Sequence, residues 1–253
     1  EYLGIKLEPN RDLLLSEAGI TRLKESYMRD EEVSPQERFA FVSKTFATDE
    51  NHAQRLYEYS SKHWLSYSTP ILSYGKSSKG LPISCYLNYI DDTAEGLVDT
   101  LSETNWLSML GGGVGIGFGI RSAGDKSTGV LPHLKLYDAS SLAYRQGKTR
   151  RGSYAAYLDI SHPDIIPFCL NMHHGINITN DFMQIIENCM RDSDYDDTWE
   201  LKDPFSGKVM ETVPAKELWQ RILEMRMQTG EPYMHFIDTS NEHLPDFLTK
   251  RGL

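Results

Sequence analysis

The segment Gly111-Gly-Gly-Val-Gly-Ile-Gly-Phe-Gly119 sets the first limit on the fold of this chain. Glycine brings no side chain to pack. So dense a run reads as a crowded strand lying against other backbone, or as a strand whose backbone a ligand approaches closely. Neither common phosphate loop fits. No GxGxxG spacing can be placed in the run, and the Gly119-to-Gly124 interval of a Walker loop meets Asp125 where a lysine is required.

Around that strand, apolar runs alternate with helical patterns. ISCYL is followed by a helix from Asp92-Thr93 through Leu110, then GVGIGFGI, a helix over LKLYDASSLAYRQ, and SYAAYLDI. GINI follows, with Thr179-Asn180-Asp181 capping a helix over DFMQIIENCMRD. DPFSGKV carries turn residues and belongs to a hairpin. Pro214 opens the helix AKELWQRILEMRMQTG, Gly230 stops it, YMHFID is a strand, and LTKRGL brings no closing helix. The alternation predicts an α/β architecture on a central sheet from residue 67 to 253. Residues 1–66 read instead as a helical preamble, from LLLSEAGITRLKESYM, PQERFAFVSKTFA and ENHAQRLYEYSSKHWL, each with apolar residues three and four apart.

A formal net charge of −10 argues against nucleic acid as a partner, which needs a broad cationic surface. No apolar run approaches a membrane span and EYLGIKLEPNRD lacks the regions of a signal peptide, so no membrane partner and a cytoplasmic location are expected. Cys85, Cys169 and Cys189 are too scattered for a disulfide scaffold or a CxxC metal site. His173-His174 reads as no metal pair, because adjacent side chains diverge and no third ligand has a recognisable spacing; no metal is expected. His162-Pro163-Asp164 reads as a helix start, and Asp192-Ser-Asp-Tyr-Asp-Asp197 as a solvated helix exit.

Against this acidic background Arg145, Lys148, Arg150 and Arg151 fall within seven residues, the last three on a connection hinged by Gly147 and Gly152. A second basic turn, Arg121 to Lys126, follows the glycine run. Guanidinium forks beside hinge glycines suit an anion that orders the loop on binding, and two such loops suggest a nucleotide phosphate site.

Taken in order, Ser68-Thr69-Pro70, Ser84-Cys85, Asp92-Thr93, the Gly111–Gly119 run, Arg121, Gln146-Gly147 through Arg150-Arg151-Gly152, His162-Pro163-Asp164-Ile165 and Gly230-Glu-Pro-Tyr-Met234 before Asp238 resemble the large, catalytic subunit of ribonucleotide reductase. The resemblance spans roughly residues 34–245 and fits the amino-terminal portion of a phage-like or split form. It implies a helical preamble plus the first half of a ten-stranded α/β barrel. The implied activity is reduction of the ribose 2′ carbon of a ribonucleotide by thiyl-radical chemistry.

On that resemblance Cys85 is one of two thiols that reduce substrate, and Thr69, Ser84, Gly112 and Gly113 lie against the substrate. Asp92, Thr93, Arg121 and Lys126 match positions that hold a deoxynucleoside triphosphate or ATP effector. Gln146, Gly147, Lys148, Thr149, Arg150, Arg151 and Gly152 form the loop linking effector to substrate base. The radical-bearing cysteine and the second reductant cysteine have no matching motif here, so the chain alone is expected to be inactive and to need a complementary C-terminal half. There is also little room before residue 12 for an amino-terminal ATP-binding domain. Further implied partners are a radical-generating, metal-containing small subunit (alternatively adenosylcobalamin), thioredoxin or glutaredoxin as reductant, and a second copy in a homodimer. No cofactor is expected on this chain itself, and a phage origin would place it in the host cytoplasm. The alternative from a different class is a non-catalytic nucleotide-binding or assembly-regulating fragment, which would bind triphosphates without turnover.

Overall fold

A computed structural model of the chain describes residues 1–77, 81–124, 126–144, 153–168 and 173–245. They fall into two units, a first built on Glu1–Tyr86 with Met109–Gly112, and a second on Leu87–Ser108 with the described residues from Gly113 onward.

The first unit is helical: α1 (Glu17–Ser26), α2 (Pro35–Phe46), α3 (Glu50–Ser61) and the short α4 (Thr69–Leu72). The expected helix over LLLSEAGITRLKESYM, residues 13–28, is broken in two. Ser16 caps α1 by accepting from the Gly19 N–H at 3.1 Å, so Pro9–Leu14 ahead of it forms a separate 3-10 turn. Ile5, Leu23, Met28, Phe39, Ala40, Ala53 and Tyr57 make the apolar core. Arg38 is fully buried beside it. Its two terminal nitrogens donate to the carbonyls of Tyr27 (3.1 Å) and Tyr74 (2.8 Å), and it lies 3.4 Å from the buried Glu32 carboxylate. A guanidinium out of water is tolerated only with such partners.

β1 (Cys85–Ile90) begins in the first unit and continues into the second, which carries α5 (Ala94–Met109, all but its last residue), β2 (Gly113–Phe118), α6 (Val130–Ala143), β3 (Tyr154–Asp159), α7 (Ile165–Phe168), β4 (His174–Ile178) and α8 (Asn180–Arg191). A hairpin of β5 (Thr198–Lys202) and β6 (Val209–Pro214) follows, then α9 (Ala215–Thr229), β7 (Tyr233–Phe236) and α10 (Ile237–Glu242). The main sheet has the order β1-β2-β3-β4-β7. The β2–β3, β3–β4 and β4–β7 pairs are parallel. Parallel neighbours in chain order need right-handed crossovers, which place the connecting helices on one face of the sheet. The burial pattern agrees. Val114, Ile116, Phe118, Tyr154, Ala156, Leu158, Ile176 and Ile178 are buried, and Tyr137 of α6 meets Phe118 and Tyr154 edge to face at 5.6 and 6.4 Å.

A helical lead followed by a parallel-sheet α/β unit is the predicted class. Three local expectations differ. α6 begins four residues before Leu134, at Val130, because its cap comes from elsewhere in the chain. His162-Pro163-Asp164 precedes α7 rather than opening it, since its side chains are engaged with the β2–α6 connection. YMHFID leaves the strand after Phe236, where α10 begins, and LTKRGL lies outside the described residues.

Candidate functional site

The glycine run acquires a physical reason on the sheet face opposite the helices. A Cβ on Gly117 would lie 2.9 Å from the Tyr89 ring, and one on Gly119 would overlap the Tyr89 hydroxyl. One on Gly175 would overlap the Tyr157 ring. The parallel register puts Gly117, Tyr157, Gly175 and Tyr233 in one row, so tyrosines lie over bare glycine backbone. Burial raises the pKa of Tyr89 and Tyr157 above the ordinary phenol value, with Asp159 and Asp91 adding for Tyr89 and Tyr233 for Tyr157. Asp159, Asn177 and His235 share register positions on β3, β4 and β7. Asn177 Nδ2 donates to Asp159 Oδ1 at 3.1 Å, His235 Nδ1 pairs with Asn177 Oδ1 at 2.9 Å, and His235 Nε2 with Ser240 Oγ at 2.9 Å. This polar file was not legible in the sequence, because its members become neighbours only through strand register.

The candidate thiol Cys85 opens β1 and is exposed, with the Ser84 hydroxyl directed at its sulfur at 3.5 Å. Thr69 begins α4, where its carbonyl accepts from the Ser73 hydroxyl at 2.9 Å. Gly112 is buried immediately before β2, and Gly113 is the first residue of that strand. Cys189 is buried within α8, and Cys169 lies outside the described residues.

The effector candidates are brought together more directly. Arg121 Nε donates to Asp92 Oδ2 at 2.5 Å, and the Arg121 guanidinium carbon lies 4.1 Å from the centre of the Phe205 ring. Thr93 is occupied as the cap of α5: its hydroxyl accepts from the Gly96 N–H at 2.9 Å. Gly96 has no room for a side chain there, since a Cβ would lie 2.5 Å from the Asp91 carbonyl. Lys126 is exposed in the turn closed by paired Gly124 and Ser127 backbone hydrogen bonds of 2.9 and 3.2 Å. The loop residues Gln146, Gly147, Lys148, Thr149, Arg150, Arg151 and Gly152 lie outside the described residues.

His162 and Asp164 fasten the two ends of the loop that carries Arg121. The Asp164 N–H donates to His162 Nδ1 at 3.0 Å, which leaves the ring proton on Nε2, facing the Ile120 carbonyl at 2.9 Å. Asp164 Oδ2 accepts from the Val130 N–H at 2.9 Å and so caps α6, whose own cap residue is Gly129 at φ +75°. The hairpin holds the other side of the loop. Ser122 Oγ approaches Asp203 Oδ2 at 3.5 Å, and Asp203 Oδ1 accepts from both the N–H and the hydroxyl of Ser206 at 2.8 Å. Burial opposes ionisation of Asp203, but these hydrogen bonds, with others from the Ser122 and Phe205 amides, hold its carboxyl below the usual value.

The adjacent histidines do not diverge as expected. His173 Nδ1 pairs with one oxygen of Glu231, and His174 Nδ1 lies 3.6 Å from the other, because Glu231 stands two residues before β7, the strand beside β4. Burial lowers the pKa of His174, Glu231 opposes that shift and His173 adds to it. Among the described residues no three His, Cys, Asp or Glu side chains gather as a metal donor set, and no helix is long and apolar enough to cross a membrane.

Comparison with known proteins joins these observations. The family described as "Ribonucleotide reductase, all-alpha domain" matches residues 13–80, and "Ribonucleotide reductase, barrel domain" matches residues 83–250. The chain is 59% identical over 262 residues to the "Ribonucleoside-diphosphate reductase large subunit" of Invertebrate iridescent virus 6, covering 98% of this chain and 27% of that protein. It is 28% identical over 275 residues to a "Vitamin B12-dependent ribonucleoside-diphosphate reductase" of Mycobacterium tuberculosis, covering 96% of this chain and 38% of that protein. Among solved structures, the "Actinobacillus ureae class Id ribonucleotide reductase alpha subunit" superposes with a TM-score of 0.70 at 26% identity, over 94% of this chain and 43% of that one. The chain thus spans about a quarter to a half of the length of these relatives. With its helical lead, its parallel sheet in chain order and these matches, the chain belongs to the ribonucleotide reductase large-subunit family.

Proposed function

We propose that this chain is part of the catalytic subunit of a ribonucleoside-diphosphate reductase, with residues 1–66 as the helical lead and 67–253 as the first half of the barrel. The carrying observation is the exposed thiol of Cys85 at the head of β1, with the Ser84 hydroxyl against it. A thiyl radical elsewhere in the assembled subunit removes the 3′ hydrogen and returns it to C3′ at the end of the cycle, which regenerates the radical. The 2′ hydroxyl leaves as water, and Cys85 with a second cysteine supplies two electrons and two protons, ending as a disulfide. A thiol in this role must reach both substrate and its partner sulfur, which an exposed strand terminus permits and the buried Cys189 does not. Thr69, Ser84, Gly112 and Gly113 lie against the substrate, and Asp92, Thr93, Arg121 and Lys126 receive a deoxynucleoside triphosphate or ATP. Gln146–Gly152 connects effector to substrate base.

The partners are the complementary half of the large subunit, thioredoxin or glutaredoxin as reductant, and a metal-containing small subunit as radical source, all in the cytoplasm. Adenosylcobalamin is the alternative source, favoured by the relatives named vitamin B12-dependent. Dependence of turnover on added cobalamin separates the two. Homodimer formation is supported by α5, which buries Thr100, Thr104 and Ser108 while Val98 and Trp106 stay about two-thirds exposed (66% and 65%).

The test is reduction of ribonucleoside diphosphates by the assembled subunit. Cys85→Ser should abolish multiple turnover with the protein reductant while leaving triphosphate binding intact. Sustained turnover of that variant would remove Cys85 from the mechanism. Triphosphate binding without turnover by the assembled wild type would favour a non-catalytic regulatory fragment.

A further inference from the structure

We propose that Phe205, on the β5–β6 hairpin, is a positioning residue of the effector site that presents Arg121 as a preset receptor for a nucleoside triphosphate's phosphates. The inference rests on the reading of Asp92 and Arg121 as effector residues and extends that site to a hairpin not assigned to it. A largely exposed phenylalanine (66%) at a turn ordinarily needs no explanation. This one lies under a guanidinium carbon, 4.1 Å from its ring centre. The same guanidinium is held at its edge by Asp92 through Nε at 2.5 Å. Among the described residues neither terminal nitrogen of Arg121 has a hydrogen-bond partner, so its paired donors remain available for an anion.

Fixing an arginine at edge and face removes rotamer freedom before the ligand arrives, and that loss would otherwise be charged to binding. The hairpin is built to hold the ring in place. Asp203 accepts twice from Ser206, the Asp203 N–H donates to the Lys208 carbonyl at 2.9 Å, and the Gly207 N–H donates to the Asp203 carbonyl at 2.8 Å. Gly207 takes φ +68°, which closes the turn at low cost only for glycine. At its base the Lys202 N–H donates to the Ser161 carbonyl at 2.7 Å, tying the hairpin to the turn that also holds His162 and Asp164. Phe205 and Arg121 therefore stand on two anchored segments, and the stacking between them is not incidental to a loose loop.

The experiment is calorimetric titration of the assembled subunit with dTTP, dATP and dGTP, and with tripolyphosphate as a probe without a base. It compares wild type with Phe205→Ala, Phe205→Trp, Arg121→Gln and the Phe205→Ala, Arg121→Gln double variant. Phe205→Ala should weaken both the nucleotides and tripolyphosphate by roughly two- to thirty-fold, the span of a cation–π contact. Phe205→Trp should restore binding, and Phe205→Ala should add nothing once Arg121 is glutamine. Unchanged affinity in Phe205→Ala while Arg121→Gln weakens binding overturns the role of Phe205 and leaves the effector reading standing. Equal losses with and without Arg121 overturn it also, since the ring would then act through hairpin structure alone. Unchanged affinity in Arg121→Gln removes the effector reading, and this proposal with it.

Discussion

Tyr157 and Gly175 face each other across β3 and β4, and the ring occupies the space a side chain at 175 would need. Glycine here is required by a neighbour rather than by its own torsion angles. Gly175→Ala should force Tyr157 off its position, where it also meets His235 edge to face at 6.1 Å. The expected cost is about 1–3 kcal/mol, as for other overpacked interiors, read from the urea midpoint. In a Tyr157→Ala background most of that penalty should vanish. An equal penalty in both backgrounds would place the strain in the backbone instead. The same geometry accounts for Gly117 and Gly119 against Tyr89, so part of the glycine run is explained by packing before any ligand is invoked.

At the scale of elements, α6 follows a glycine cap residue, Gly129, that has no capping side chain, and its first N–H, that of Val130, is satisfied by Asp164 from the turn after β3. A cap supplied from a distant segment does more than end a helix, because it fixes where the connection carrying Arg121 must stop. Gly129 completes the fit: a Cβ there would lie 2.7 Å from Asp164 Oδ2 and 2.8 Å from the Ala123 nitrogen. Asp164→Ala should therefore lower stability by about 0.5–2 kcal/mol, the usual worth of a cap, measured by chemical denaturation. Asp164→Asn, which keeps an acceptor oxygen, should lose less. Equal losses in the two variants would mean that the carboxylate charge, not the hydrogen bond to Val130, is what matters. The sequence showed His162-Pro163-Asp164 as a helix start, but periodicity cannot tell whether its acid caps the helix that follows or one already passed.

At the scale of the whole molecule, α5 and α6 each carry some apolar side chains on faces that the described residues leave open. Val98 and Trp106 on α5, and Leu136 and Leu142 on α6, are exposed, while small polar residues of α5 face inward. In the proposed homodimer this is the apolar surface that a second copy would cover. Trp106→Glu should weaken self-association of the assembled subunit at least tenfold, observed by sedimentation velocity with and without a deoxynucleoside triphosphate. An unchanged sedimentation distribution would exclude this face from the interface.

What the sequence determined by itself was local and ordered. Thr179 announced a helix start, Gly230 a stop at φ +82°, DPFSGKV a hairpin, and the succession of motifs the family. These follow from torsional preference and nearest-neighbour hydrogen bonding, which short stretches encode completely. Only the tertiary structure decided that Tyr89 covers Gly117, that Asp159, Asn177 and His235 form one polar file, and that Arg121 lies between Asp92 and Phe205. Such meetings depend on strand register and on crossovers that return the chain to the same sheet edge. Neither leaves a periodic trace in the residues that eventually touch.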